Sequence, residues 1–272
     1  MTTTETGATA DPVHLGDSAS IIMNKVQEIT GEIHQKQLTV EDLRRMREPV
    51  KRLVEAGRVL AVQEDQDSRR SAMITLQDGQ LYLHPLLCQP TPTYAHTLQE
   101  SEVVGMLDPS CTLAFLELGW AGSTRGRVTI RLTPDTLLAR QFVLLCTGQR
   151  GHTYRNTKLL WVDDKGQPGE CVGGGDYESN DGEGGAQLLH YVLAHTAPAR
   201  RSGRAGAVRA RCPLGDPRST QFIIGTRDLQ GGGQWLYVFG DVVSGLDVVR
   251  AAVNHSDITE VTVVDCGVVL PL

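Results

Sequence analysis

Six cysteines, eight histidines and a crowd of arginines are the residues with the most chemical potential, and their spacing decides what each can do. The cysteines (Cys88, Cys111, Cys146, Cys171, Cys212 and Cys266) are scattered with no C-x-x-C pair, and no His pairs with Cys or Asp at metal-ligand spacing. A metal site is not expected. No H-E-x-x-H, P-loop or G-x-S-x-G nucleophile elbow occurs. Three glycine-rich stretches begin at Gly173, Gly182 and Gly231, but none leads into Lys-Ser/Thr, and Asp176 and Glu183 in the first two would repel phosphate. They read as turn and bulge glycines, and no cofactor is expected.

Arg200, Arg201, Arg204, Arg209 and Arg211 crowd one short stretch, with Arg218 close behind. Such a run can hold an acidic partner or nucleic acid. With no aromatic residue interleaved and a net charge of −6 over 272 residues, it reads instead as a solvated loop, and nucleic-acid binding is disfavoured. No run of 18 apolar residues offers a membrane span. The Thr-rich start lacks the basic and apolar regions of a secretory signal, so free thiols, an unglycosylated Asn254-His255-Ser256 and a cytoplasmic or nuclear location are expected.

The elements that must position these residues follow from periodicity. Residues 1–17 are small, polar and aperiodic, and read as a disordered tail. From Ser18, Ile22, Val26, Ile29 and Ile33 recur at spacings of four and three, and Val40, Leu43, Val50 and Val54 continue the register. The stripe fits a short coiled coil joining two copies through 18–58, or a pair of helices packed within one chain. Pro49 weighs against the first. Thr39 with Asp42 reads as a helix start and Gly57 as a stop. The period then falls to two, and Gln77-Asp78-Gly79 reads as a tight hairpin turn closing a region of 18–84. Residues 85–110 read as a linker, with a weaker helical stretch around 98–106, and 111–272 as a second domain, mainly β, with helices over 134–146 and 245–252.

Within that domain five stretches resemble the cyclophilin family. Phe142 to Gly148 (FVLLCTG) resembles the end of the family's first helix, and Gly174 to Tyr177 (GGDY) its Gly-Gly-Asp-aromatic strand. Ser219 to Thr226 (STQFIIGT) is similar to its Ser-Gln-Phe-Phe-Ile strand, Tyr237 to Val249 (YVFGDVVSGLDVV) to the entry into its second helix, and Val264 to Gly267 (VDCG) to its closing strand. They occur in family order from Cys111 to Val269. The resemblance implies an eight-stranded antiparallel β-barrel capped by two helices, and prolyl cis–trans isomerase chemistry in a groove on the barrel wall. It also implies an Arg, next to a His in a Phe-His-Arg strand, that donates to the amide nitrogen as the bond twists over a barrier of about 18–20 kcal/mol.

The match fails at those site positions. Leu159, Leu160 and Trp161 stand where the family has Phe-His-Arg; Arg155 lies six residues early, and no Arg occurs from 156 to 177. Lys158 and Lys165 lack the guanidinium fork. Residues 163–166 and 199–205 read as insertions. Glu170 and Cys171 align with the Phe and Met of the proline pocket, Gly173 with a groove Gln and Cys212 with a groove Asn. Gln221 persists, Ile223 replaces a pocket Phe, Gly231 and Gly232 replace a Trp-Leu pair, and Leu236 replaces the second His, with Trp235 beside it. The expectation is a degenerate groove made of Leu160, Trp161, Cys171, Gly173, Cys212, Gln221, Ile223 and Leu236, without catalytic residues. Such a chain would bind a protein or proline-containing peptide, with Trp161 as an anchor, rather than isomerise it. A weak but genuine isomerase is the alternative.

Overall fold

The computed structural model describes residues 37–65, 68–86, 95–189 and 200–272. The expected tail, the first part of the apolar stripe and Cys88 lie outside them. Thr39 opens helix α1 (Val40–Arg45) with a reciprocal capping box to Asp42, as the spacing predicts. Met46, in the left-handed region, ends α1 after six residues, and α2 (Glu48–Glu55) restarts with Pro49 in its first turn, where its missing N–H costs nothing. The heptad register is therefore broken between Leu43 and Val50, and no continuous coiled coil runs through this part of the 18–58 stretch. Leu43 and Val54 are buried within the fold.

Three antiparallel strands follow: β1 (Val59–Asp65), β2 (Ser68–Gln77) and β3 (Gln80–Leu86). The β2–β3 turn has Asp78 and Gly79 both at positive φ, 50° and 78°, which matches the right-handed twist of the strands it joins. The stretch expected to be a linker contains β4 (His96–Gln99), parallel to β1, and helix α3 (Glu100–Val104). Beyond come β5 (Leu113–Trp120), β6 (Ser123–Leu132), α4 (Leu137–Thr147), β7 (Leu159–Asp163), β8 (Cys171–Gly174), β9 (Arg200–Ser202), β10 (Ala207–Ala210), β11 (Phe222–Gly225), β12 (Trp235–Ser244), α5 (Leu246–Val253) and β13 (Thr262–Leu270).

Among the described residues the strands form one 13-stranded sheet in the order β4-β1-β2-β3-β13-β5-β6-β12-β10-β11-β8-β7, with β9 on β12. The eight strands from β13 to β7 are all antiparallel neighbours. The expected closed barrel is corrected here: the ladder path is open, and the residues leading into β7 meet the start of β13 at one isolated bridge, Lys158 to Thr262, with a few backbone hydrogen bonds beside it, because the two strands diverge beyond that point. The expected split at residue 110 is also corrected, since β3 pairs with β13 and Thr39–Leu272 is one compact unit.

Two polar groups weld the added hairpin to the rest. His84, 5% exposed, brings Nε2 to Thr75 Oγ1 at 2.8 Å and Nδ1 to Asp265 Oδ2 at 2.6 Å, crossing from β2 through β3 to β13. Arg127 donates to Glu117 and Gln77 while its guanidinium lies 4.2 Å from the Tyr82 ring centre and 4.4 Å from that of Phe115. Deeper in, Phe142 on α4 meets Tyr154, Phe222 and Phe239 at centroid distances of 5.0, 6.0 and 5.3 Å. Helix α4 begins three residues later than its sequence suggests, because Asp135 takes a positive φ and Thr136 caps Ala139 N; Gly148 ends it, as expected.

Two outcomes follow. Phe142→Ala removes the ring at the centre of this cluster and should cost about 3–5 kcal/mol in urea denaturation. Asp265→Ala strands the buried His84 ring and should cost about 1–3 kcal/mol. Because the hairpin is part of one sheet, that second variant should also raise amide exchange in both β3 and β13; a rise confined to β3 would show an independent hairpin.

Candidate functional site

The outer face of β7, β8, β11 and β10 holds most of the residues expected to form the groove. The registers Trp161–Gly173, Gly173–Ile223, Cys171–Gly225 and Ile223–Arg209 set these side chains on one side, since cross-strand partners share a face. Val172, Phe222, Ile224 and Val208 alternate inward to the core. A register shift between Leu159 and Trp161 makes Leu160 an extra residue in β7. Leu159 stays in the core while Trp161 turns out over β8.

Trp161 does not stand free as an anchor. Its ring lies on Gly173, where a Cβ would collide with it, so only glycine lets the indole lie against β8. On the indole sits the Arg211 guanidinium, 4.4 Å from the ring centre. Arg211 Nη1 donates to Gln221 Oε1 and to Gly182 O, both at 2.8 Å. Gln221 is fully buried, and its Nε2 donates to Gly182 O and Gly184 O. A guanidinium therefore does reach Gln221, contrary to the expectation drawn from the absence of arginine between 156 and 177. It arrives from the end of β10, where Arg211 N pairs with Gln221 O at 2.9 Å.

Elsewhere the face is filled by the chain itself. Trp235 lies against Gly225 as Trp161 does against Gly173, and Cys171 and Ile223 are each 3% exposed. Burial raises the Cys171 thiol, while the nearby Arg209 charge pulls the other way. Arg209 Nε is buried without a partner. Glu170, expected to be a charged wall of the proline pocket, is engaged elsewhere: its carboxylate accepts from Gly166 N at 2.6 Å and Thr226 Oγ1 at 2.7 Å, with Arg227 Nε at 3.5 Å. Burial alone would raise its pKa; these donors and the Arg227 charge hold it below the usual range.

Of the expected groove residues, Trp161, Cys171, Gly173, Gln221 and Ile223 are brought together, and Leu160 approaches Gly182 beside Arg211. Cys212 and Leu236 are not shown joining them. Cys212 is half-buried beside Asp216, where burial and then the Asp216 charge raise its thiol, and Leu236 is 45% exposed. Arg209 and Arg211, expected in a solvated arginine loop, are corrected here: Arg209 is half-buried on β10 and Arg211 packs on Trp161, because the strand carries both onto this face. The available signal was period two: Arg209 and Arg211 flank Ala210, so if Ala210 faces the core both arginines face out together. Among the described residues no three His, Cys, Asp or Glu gather to hold a metal, and no helix is long and apolar enough to cross a membrane.

The loop that grips Gln221 is itself tied by Asp176. Its carboxylate accepts from the N–H groups of Glu178, Ser179, Asp181, Gly182 and Gly184 and from the Ser179 hydroxyl. Burial would raise Asp176, but these donors favour the charged form and hold it far below the usual carboxylate range. Its stabilisation is thus complete above the unfolded-state value of about 3.9 and fades as pH falls toward the folded one. Asp176→Asn should flatten the acid limb of the stability curve, read as urea midpoints at pH 6 and pH 3; equal slopes in both proteins would remove Asp176 from that limb.

Residues 119–268 match the family described as "Cyclophilin type peptidyl-prolyl cis-trans isomerase/CLD". A curated relative from Encephalitozoon cuniculi, named peptidyl-prolyl cis-trans isomerase, is 28% identical over 163 residues, covering 53% of this chain and 86% of its own length. The match spans more than half of the chain and takes in every strand of the Trp161–Gln221 face, so the chain belongs to the cyclophilin-type peptidyl-prolyl cis–trans isomerase family.

Proposed function

We propose that the chain is a peptide-binding cyclophilin whose remodelled face holds its partner without turning over prolyl bonds at the rate of an active isomerase. The observation that carries this reading is the stack of Gly173, Trp161 and Arg211. Isomerisation needs a donor to the pyramidal nitrogen and an apolar slot that holds the pyrrolidine ring while the bond twists. Here the space over Gly173 belongs to an indole, and Trp235 takes the space over Gly225. A donor with no slot beside it does not keep the ring's nitrogen in reach as the bond twists, so its preference for the twisted state goes unused. The aromatic anchor expected at Trp161 gives way to Arg211, because the guanidinium covers the ring. The partner is a protein segment, read at the β7–β11 face.

A second reading has a specific observation behind it. Arg211 sits at Gln221, and its Nε and Nη2 have no acceptor among the described residues, so three N–H groups remain for a substrate amide. Slow isomerase activity through Arg211 is the form this takes.

Exchange spectroscopy on a prolyl peptide separates the two. The binding reading expects the peptide to perturb the Trp161 and Gln221 resonances while cis–trans exchange stays near its uncatalysed rate, with Arg211→Ala weakening binding only. Exchange accelerated to the level of an active cyclophilin would falsify it. Slow exchange abolished by Arg211→Ala would support the second reading instead.

A further inference from the structure

Arg209 on β10 and Arg211 just past its end, where its N–H still bonds Gln221 O, lie on the same side about 7 Å apart, since residues two apart along an extended chain share a face. Of the nearby arginines, Arg200 bonds Asp241, Arg218 lies 3.4 Å from Asp216 and Arg227 3.5 Å from Glu170. Arg209 and Arg211 make no ion pair among the described residues, and Arg209 Nε is buried with no acceptor. Asp163, across from Cys171, is exposed and pairs with neither. In a chain of net charge −6, two guanidinium groups without counterions on one half-buried face are an anion's complement.

Arg211 is also fixed in place. The Trp161 ring, Gly182 O and Gln221 Oε1 hold one side of the fork, leaving the Nε and Nη2 edge toward a ligand. Such an edge matches the two oxygens of a carboxylate, and a side chain already held loses little freedom on binding. Nucleic acid fits less well, because the Trp161 ring is covered by Arg211 and offers no open face for a base to stack on.

We propose that this face selects a peptide segment carrying an aspartate or glutamate side chain, bound by the Arg211 fork with Arg209 as the second positive charge. This rests on the reading of the face as a peptide site and names the chemistry of the peptide. The test uses the full chain and two fluorescein-labelled peptides, Ala-Ala-Glu-Pro-Phe-Ala and its Gln counterpart, compared by anisotropy. The Glu peptide should bind about tenfold more tightly, as a charge-assisted fork requires. That preference should disappear in Arg211→Gln, survive in part in Arg211→Lys, shrink in Arg209→Gln and weaken in added salt. Equal affinity for the two peptides overturns the proposal and leaves the peptide site standing. Binding of neither overturns both. A single-stranded oligonucleotide that displaces the Glu peptide at lower concentration overturns it in favour of nucleic acid.

Discussion

Gln221 is the constraint on which the rest of the face depends. A fully buried carboxamide must satisfy its donors and its acceptor inside the protein, or cost the fold their desolvation. Here the donors go to Gly182 O and Gly184 O and the acceptor to Arg211. One side chain thereby fixes a loop and a cation at once. Asp176 ties down the other side of that loop through its backbone N–H groups. The position of Arg211 is thus built into the interior hydrogen bonding of the domain.

The two tryptophans carry the complementary constraint. Each needs a glycine beneath it, Gly173 under Trp161 and Gly225 under Trp235, because any Cβ there would meet the indole. The exchanges act as pairs: removing a side chain from one strand makes room for an aromatic ring from another, the adjacent β7 for Gly173 and β12, one strand further on, for Gly225. Read singly, Gly173 and Trp161 are two losses from a catalytic groove. Read together, they form a platform with a guanidinium on top.

The N-terminal hairpin shows the same coupling at larger scale. Its β3 edge pairs with β13, so its polar contacts had to be compatible with the sheet it joins, and His84, Asp265 and Arg127 supply that fit. A hairpin joined by backbone ladder and buried polar contacts has no boundary at which to behave as a separate domain. The stripe of apolar residues from Val40 to Val54 serves this interior in two short helices, with Pro49 at the start of the second.

Local chemistry was legible in the sequence because it depends on neighbours along the chain. The capping box at Thr39, the Asp78-Gly79 turn, the stop at Gly148 and the alternation that buries Val172 and Phe222 are all decided within a few residues. The family was legible for a related reason, since its stretches lie in order along the chain. The open ladder, the union of β3 with β13 and the arginine at Gln221 were not legible. Each is set by contacts between residues far apart in sequence: Lys158 with Thr262, Leu83 with Val268, Arg211 with Trp161. Sequence alone established that no arginine follows Trp161 along its own strand; only the pairing of β10 with β11 could decide that one reaches the same place from the other side, because hydrogen-bonded neighbours in a sheet need not be neighbours in the chain.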